Sequence, residues 1–151
     1  MSLQNLLKIG QLKAHPPDAA EVQRLLGAAA RNLADARVLT ISPETRFDAA
    51  YKAIMQVSLA AMMAHGYRPD TNRPGHHQTL VQALGLTIGL APSRITVIDT
   101  LRRTRNLSDY TGEDIDDSSV EHCIAESDLL LADFRSWLEV HQPDLLIAGT
   151  D

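Results

Sequence analysis

The sequence predicts an all-α fold, an antiparallel bundle of about five helices. Apolar residues recur at helical spacing along nearly all of the 151 residues, and no four-residue stretch alternates strongly enough to require a strand. The apolar content comes mainly from 21 Leu and 19 Ala, which favour helices and let neighbouring helices approach closely. Most predicted connections are short, which favours antiparallel neighbours.

The first two predicted helices have clear start signals. The first begins after Asp18, an N-cap residue that follows two prolines, and ends near Val38. The second begins at Ser42-Pro43-Glu44, which supplies an N-cap, a proline suited to the first helical position and a carboxylate in the first turn. The second helix ends near Gly66.

A turn-rich segment separates the second helix from the third. Residues 67–75 contain two prolines, a glycine, an aspartate and an asparagine, which predicts a surface loop. The third helix runs from about His76 to Leu84 or Ile88. Because two glycines weaken its second half, we expect it to end early or irregularly.

The last two predicted helices complete the bundle. The fourth begins at Pro92 and carries Asp99 four residues before Arg103, a spacing that favours an ion pair. The fifth runs from about Asp116 to His141, with acidic residues at its positive end.

Length and composition exclude several classes of protein. A chain of this length predicts one domain, with the bundle over residues 18–141, a peripheral segment 1–17 and a tail 142–151. Its apolar stretches are too short to cross a bilayer, and the N-terminus lacks the pattern of a signal peptide. The single cysteine, Cys123, cannot form an internal disulfide, which fits a reducing cytoplasm. We expect a cytoplasmic protein without a metal, a cofactor or a membrane contact.

The charge is divided unevenly along the chain. The net charge is −5, but residues 1–112 carry 13 Lys and Arg against 8 Asp and Glu, whereas residues 113–151 carry one arginine against 11 acidic residues. This division indicates either a basic surface backed by an acidic helix, or a last helix that simply lies against the basic one.

An arginine-rich run ends the fourth predicted helix. Arg102, Arg103 and Arg105 lie within four residues, and Arg105 continues the apolar stripe of Ile98 and Leu101. Because an unpaired buried guanidinium is costly, Arg105 must meet a carboxylate, the end of another helix or a bound anion such as phosphate. The simplest interpretation is an ion pair with the fifth helix that only stabilises the bundle.

The run Arg105-Asn106-Leu107-Ser108-Asp109-Tyr110 resembles the signature region of HEPN domains, where an Arg, commonly followed by Asn, is separated from a His by four to six intervening residues. Residues 46–69 are similar to the second helix of bacterial HEPN proteins, and Gly75-His76-His77 recurs in some of them. The resemblance covers about residues 18–140 and implies a bundle that usually dimerises, with two Arg motifs in a shared cleft. Many members are metal-independent endoribonucleases, often the toxins of toxin–antitoxin pairs, and others are non-catalytic RNA- or nucleotide-binding modules.

The sequence departs from this pattern at the expected histidine. Positions 110–112 hold Tyr110, Thr111 and Gly112. An imidazole suits a general base near neutral pH, whereas a phenol with a pKa of about 10 stays protonated there and is a poor base. His77 faces inward and is a candidate replacement base if the third helix lies beside Arg105; a satisfied polar group or a helix cap is the more ordinary role.

The sequence therefore predicts RNA or nucleotide binding, with weak catalysis or none, through Arg102, Arg103, Arg105, Asn106 and Tyr110. Arg105 would hold a phosphate bidentately, Asn106 would orient it or cap the helix, and Tyr110 would stack on a base or donate to the anion. We expect a homodimer and, because many HEPN proteins are toxins of toxin–antitoxin pairs, an antitoxin-like protein partner.

Two alternatives stay open. One is a metal-independent endoribonuclease of toxin–antitoxin type, with Arg105, Tyr110 and His77 as its catalytic residues. The other is a structural or protein-interaction bundle whose arginines pair with the acidic fifth helix.

Overall fold

The computed structural model describes residues 1–146 and confirms a bundle of α-helices. The helices of the described part are α1 (Leu3–Lys8), α2 (Ala19–Ala36), α3 (Pro43–Ala64), α4 (His76–Gln82), α5 (Leu84–Thr87), α6 (Pro92–Thr111) and α7 (Asp117–His141). The remaining elements are the strands β1 (Leu12–Ala14) and β2 (Tyr67–Pro69) and a 3-10 turn (Pro143–Leu146). None of these helices is long and apolar enough to span a membrane.

Local capping explains where the long helices begin. The Asp18 carboxylate accepts a hydrogen bond from the N–H of Ala20 (2.8 Å), and the Ser42 hydroxyl accepts one from the N–H of Thr45 (3.2 Å). Asp116 caps α7 in the same way. Each bond satisfies a backbone donor that the first turn of a helix leaves free, so the predicted starts are confirmed.

The third predicted helix is interrupted, as expected. It consists of α4 and the short α5, which ends at Thr87. Gly89 follows with φ at +70°, in the left-handed region that glycine adopts without strain, and the chain turns there towards α6.

Helix α3 is the centre of the bundle and runs antiparallel to α2. The Nε of Arg46 donates to the carbonyl oxygen of Ala36 (2.7 Å), and the Nδ2 of Asn32 donates to the Oε1 of Gln56 (2.8 Å). Residue numbers therefore rise along α3 as they fall along α2, which is the orientation predicted for helices that are neighbours in sequence.

Helices α3 and α7 are distant in sequence and run parallel. The Ser127 hydroxyl donates to the carbonyl oxygen of Ala50 (2.6 Å), and the Nε2 of Gln142 donates to that of Ala64 (2.7 Å). The core between α3 and its neighbours includes fully buried large side chains from both helices, among them Phe47, Ile54, Phe134 and Leu138.

Both ends of the described chain pack more closely than predicted. In the segment 1–17, assigned to the periphery, Leu3, Leu6 and Leu12 are buried in the core. Within the predicted loop 67–75, β2 pairs antiparallel with β1. The sequence does not predict these strands, because three residues are too few to show the alternation of apolar and polar side chains. In the predicted tail Leu145 is buried, while residues 147–151 lie outside the described residues.

Candidate functional site

A cleft of about 1100 Å³ runs along one side of α3. Its floor is a stripe of α3 residues spaced three or four apart, namely Asp48, Lys52, Met55, Leu59 and Met63. One wall is α2, the opposite wall is formed by α4 and β2, and Arg105 of α6 also contributes. Four helices and a strand therefore meet at one surface.

The cleft is basic although the chain is acidic. Five Lys and Arg side chains line it against two carboxylates, Glu21 and Asp48. The basic residues are Arg24, Arg31, Lys52, Arg68 and Arg105. Apart from Arg105, none of them has a carboxylate of residues 1–146 within ion-pair distance. Such a surface attracts anions.

Arg105 lies against two carboxylates and an aromatic ring. Its Nε is 3.1 Å from the Oδ2 of Asp109 and 3.7 Å from the Oδ1 of Asp48, and its guanidinium carbon lies 5.3 Å from the centre of the Tyr51 ring. The side chain is 32% exposed, and its buried Nε makes no hydrogen bond with the described residues. Both carboxylate contacts are made through Nε, so the guanidinium is held in place and its two terminal nitrogens are left for a ligand.

His77 and Tyr51 form a linked pair in the cleft. The Tyr51 hydroxyl oxygen lies 3.2 Å from the Nδ1 of His77, and the His76 ring packs edge-on against the His77 ring at 4.7 Å. Burial raises the pKa of Tyr51 to about 12. Burial also lowers the pKa of His77 from its usual value, with smaller contributions from neighbouring His76 and from the positive charges of Arg105 and Arg102.

These shifts define the protonation states near neutral pH. Tyr51 keeps its proton, and His77 is neutral. In the tautomer whose Nδ1–H donates to the tyrosine oxygen, the Nε2 of His77 can accept a proton; in the other tautomer, Tyr51 donates and Nε2–H is a donor. The pair can therefore either take a proton or bind an anion.

The other residues of the predicted site lie outside this cleft. Arg102 and Arg103 both contact Asp99, with N–O distances of 2.9 and 3.1 Å, and the predicted pair of Asp99 and Arg103 is confirmed. Neither arginine, nor Asn106, is among the residues that line the cleft. Tyr110 is 90% exposed.

Helix geometry explains why Arg105 and Tyr110 are separated. Five residues along an α-helix correspond to a rotation of about 140° beyond one full turn, so the two side chains point to different sides of α6. Arg105 and His77 both line the cleft, so α4 lies beside Arg105, as a role for His77 as replacement base requires. Tyr110 is not among the residues that line the cleft.

The arginines of the run do not pair with the acidic fifth helix. In the described chain, Arg105 contacts carboxylates of α3 and α6. Helix α7 instead forms ion pairs with three arginines outside the run: Arg37 with Asp128, Arg46 with Glu121, and Arg94 with Glu126 and Asp133. The interpretation in which Arg105 binds α7 is wrong, because α7 packs on α3 and α2 rather than against the end of α6.

Several cleft residues were not singled out from the sequence. Tyr51 shows only the apolar spacing of a core residue, and Lys52 looks like an ordinary exposed lysine. Arg24 and Arg31 share one face of α2 through their seven-residue spacing, which is the one local signal of a basic wall. The other cations come from separate elements, so only tertiary packing brings them together.

The described residues contain no group of three or more His, Cys, Asp or Glu side chains that could hold a metal ion. Cys123 is buried, and burial raises the pKa of its thiol to about 12, so it is not activated as a nucleophile. The chain matches no protein-family model, no curated protein and no solved structure.

Proposed function

We propose that this protein binds a phosphate-bearing ligand, a nucleotide or a single-stranded RNA, in the cleft along α3. One observation carries the proposal: four cations line the cleft without a carboxylate partner in the described chain, in a protein whose net charge is −5. Cations in one cleft repel one another, and a bound polyanion relieves that repulsion.

Arg105 and His77 form the best-defined part of the proposed site. A guanidinium offers a planar set of donors that matches phosphate oxygens, and the ring of Tyr51 supports it from one side. His77 adds a donor from Nε2, or a positive charge when a bound phosphate favours its protonation. The resemblance to HEPN domains assigns an anion-binding role to the same arginine and agrees with this proposal.

Binding to fluorescently labelled single-stranded RNA tests the proposal. The wild-type protein should bind at low salt, and affinity should fall steeply as salt rises. The double variant Arg31→Gln/Lys52→Gln should bind at least tenfold more weakly. A matched control, Lys8→Gln/Arg135→Gln, removes two exposed cations outside the cleft and should bind like the wild type. Failure to bind RNA or a nucleotide at low salt, or equal losses in both variants, would contradict the proposal.

Metal-independent RNA cleavage is the second candidate function, favoured by the position of His77 beside Arg105. His77 would remove the proton of a 2′-hydroxyl as that oxygen attacks phosphorus, and the 5′-oxygen would leave, taking a proton from water, to give a cyclic phosphate and a 5′-hydroxyl end. Arg105 would stabilise the charge on the phosphate oxygens, and Tyr51 would position the imidazole.

Incubation of RNA with the purified protein in EDTA tests cleavage. The wild type should cut RNA but leave an all-deoxy strand intact, and both His77→Gln and Arg105→Gln should lose most of this activity. Equal cutting by the wild type and both variants would show contamination and exclude this candidate. Homodimerisation and an antitoxin-like partner, which the HEPN resemblance implies, stay predictions.

A further inference from the structure

We infer that the cleft binds an extended single strand with several phosphates and does not distinguish the bases. This inference rests on the proposed function and concerns the class of ligand that the same cleft selects. It comes from the arrangement of the cations, which form two groups at opposite ends of an apolar floor. The first cation group is Lys52 and Arg105; the second cation group is Arg24, Arg31 and Arg68.

The helices set the separation of the two groups. Lys52 and Met63 lie eleven residues apart on α3, which corresponds to about 16 Å of helix. The hydrogen bond between Asn32 and Gln56 places the backbone of Arg31 near the level of Gln56, but the guanidinium of Arg31 turns back along α2 towards Gly27, about one turn further along the cleft. Because α2 runs antiparallel, Arg24 lies two turns further along the cleft, near the level of Met63.

Contacts of His15 place Arg68 at the same end as Arg24. The His15 N–H donates to the carbonyl oxygen of Gly66 (2.8 Å), and its Nε2 lies 3.0 Å from the Oε1 of Glu21. These contacts join the turn after α3 to the first turn of α2. Arg24 is three residues beyond Glu21, and Arg68 is two residues beyond Gly66, so both cations belong to this end of the cleft.

The floor between the two cation groups is apolar. It is formed by Met55 and Leu59 of α3, with Leu25 and Ala28 on the adjacent wall. Such side chains can contact the faces of bases, and methionine adapts its shape to different partners.

The amide side chains of this region are partly engaged. The Oε1 of Gln56 accepts from Asn32, and the Nε2 of Gln23 donates to the carbonyl oxygen of Leu145. Each amide keeps one end for base edges, the Nε2 of Gln56 and the Oε1 of Gln23, and two such groups are few for a base-specific site. Phosphates are held at both ends of the cleft. A mononucleotide reaches one cation group, whereas a strand reaches both.

Affinity measured for a series of ligand lengths and two cleft variants tests this inference. The probes are labelled UMP, U6 and A6 at low salt. The variants are Lys52→Gln/Arg105→Gln for the first group and Arg24→Gln/Arg68→Gln for the second, with Lys8→Gln/Arg135→Gln as the control for charge. Five of the six positions are exposed and Arg105 is partly exposed, so the fold should be kept, and circular dichroism checks this.

We expect U6 to bind at least tenfold more tightly than UMP, and A6 to bind within severalfold of U6. Each cleft variant should weaken U6 binding at least tenfold and reduce the slope of log K against log salt by about 1.4, the value for two lost phosphate contacts on a single strand. Only one of the two cleft variants should affect UMP.

Specific results would overturn the inference. If UMP binds as tightly as U6, or if the second-group variant leaves U6 binding unchanged, the two-ended strand site is wrong while the proposed function stands. A tenfold preference between U6 and A6 would exclude base indifference. Polyglutamate that competes as well as U6 would assign the cleft to an acidic protein segment instead. If neither UMP nor U6 binds, the proposed function itself fails.

Discussion

The hydroxyl of Tyr51 lies 3.2 Å from the Nδ1 of His77, and this contact connects the core to the cleft. Tyr51 is only 2% exposed, so the packing of α3 determines where its ring stands. The imidazole of α4 contacts the hydroxyl end of that ring, and the guanidinium of Arg105 lies over its face. Two helices, α4 and α6, therefore place polar side chains on one buried aromatic residue of a third helix, α3.

Replacement of Tyr51 by Phe tests this connection. The ring should keep its place, but the hydrogen bond to His77 is lost, so the free energy of unfolding should fall by about 1 kcal/mol. RNA affinity should fall severalfold if the tyrosine positions His77 for the ligand. Urea unfolding and RNA titration measure the two effects. An unchanged affinity in a folded variant would show that the hydroxyl serves stability alone.

The stability of the protein should depend on pH through His77. Burial, followed by neighbouring His76 and the charges of Arg105 and Arg102, lowers the pKa of His77 below the usual value of about 6.5. As the pH falls through that value, the unfolded chain takes up a proton that the folded chain does not, so the free energy of unfolding decreases. Above the usual histidine pKa of about 6.5, this contribution to stability is fully present.

The variant His77→Gln isolates this contribution. Urea unfolding of both proteins at pH 7.5 and pH 5.5 should show a smaller loss of stability for the variant. Equal losses in the two proteins would mean that other groups cause the pH dependence.

Removal of the Asp48 carboxylate should strengthen anion binding. Asp48 lies in the cleft beside Arg105, and it is exposed enough for Asp48→Asn to fold normally. Without this negative charge, RNA affinity should rise severalfold at low salt, and the gain should shrink as salt screens it. Asp117→Asn makes the same change of charge outside the cleft and should have little effect. A gain of equal size in both variants would reflect net charge rather than the cleft.

Arg46 should be important for stability although it lies outside the cleft. Its side chain is buried, and it donates to the last carbonyl oxygen of α2 and contacts Glu121 of α7 at 3.2 Å. Arg46→Met should lower the free energy of unfolding by about 2 kcal/mol, because a hydrogen bond from a charged group is lost and a carbonyl is left without a partner.

A matched variant separates the two contacts of Arg46. Glu121 is largely exposed, so Glu121→Gln should cost less than about 1 kcal/mol. Urea unfolding at neutral pH compares the two. A larger loss for the Glu121 variant would mean that the ion pair, and not the bond to the helix end, provides the stability.

Local chemistry made the long helices predictable. The caps at Asp18, Ser42 and Asp116 act within three residues of their own positions, and the apolar stripes repeat within each helix. Arg105 was also recognisable, because its place on an apolar stripe requires a partner. The same periodicity placed His77 on the inward side of its helix.

Only packing over long sequence distances decided which groups became neighbours. The pairing of β1 with β2, the parallel contact of α3 with α7 and the meeting of Arg105 with Tyr51 and His77 join residues that are far apart in sequence. No periodicity records such contacts, because each depends on how complementary helix surfaces fit together across the core. The basic cleft has the same origin, since its cations come from α2, α3, α6 and β2 and become one surface only after the bundle has formed.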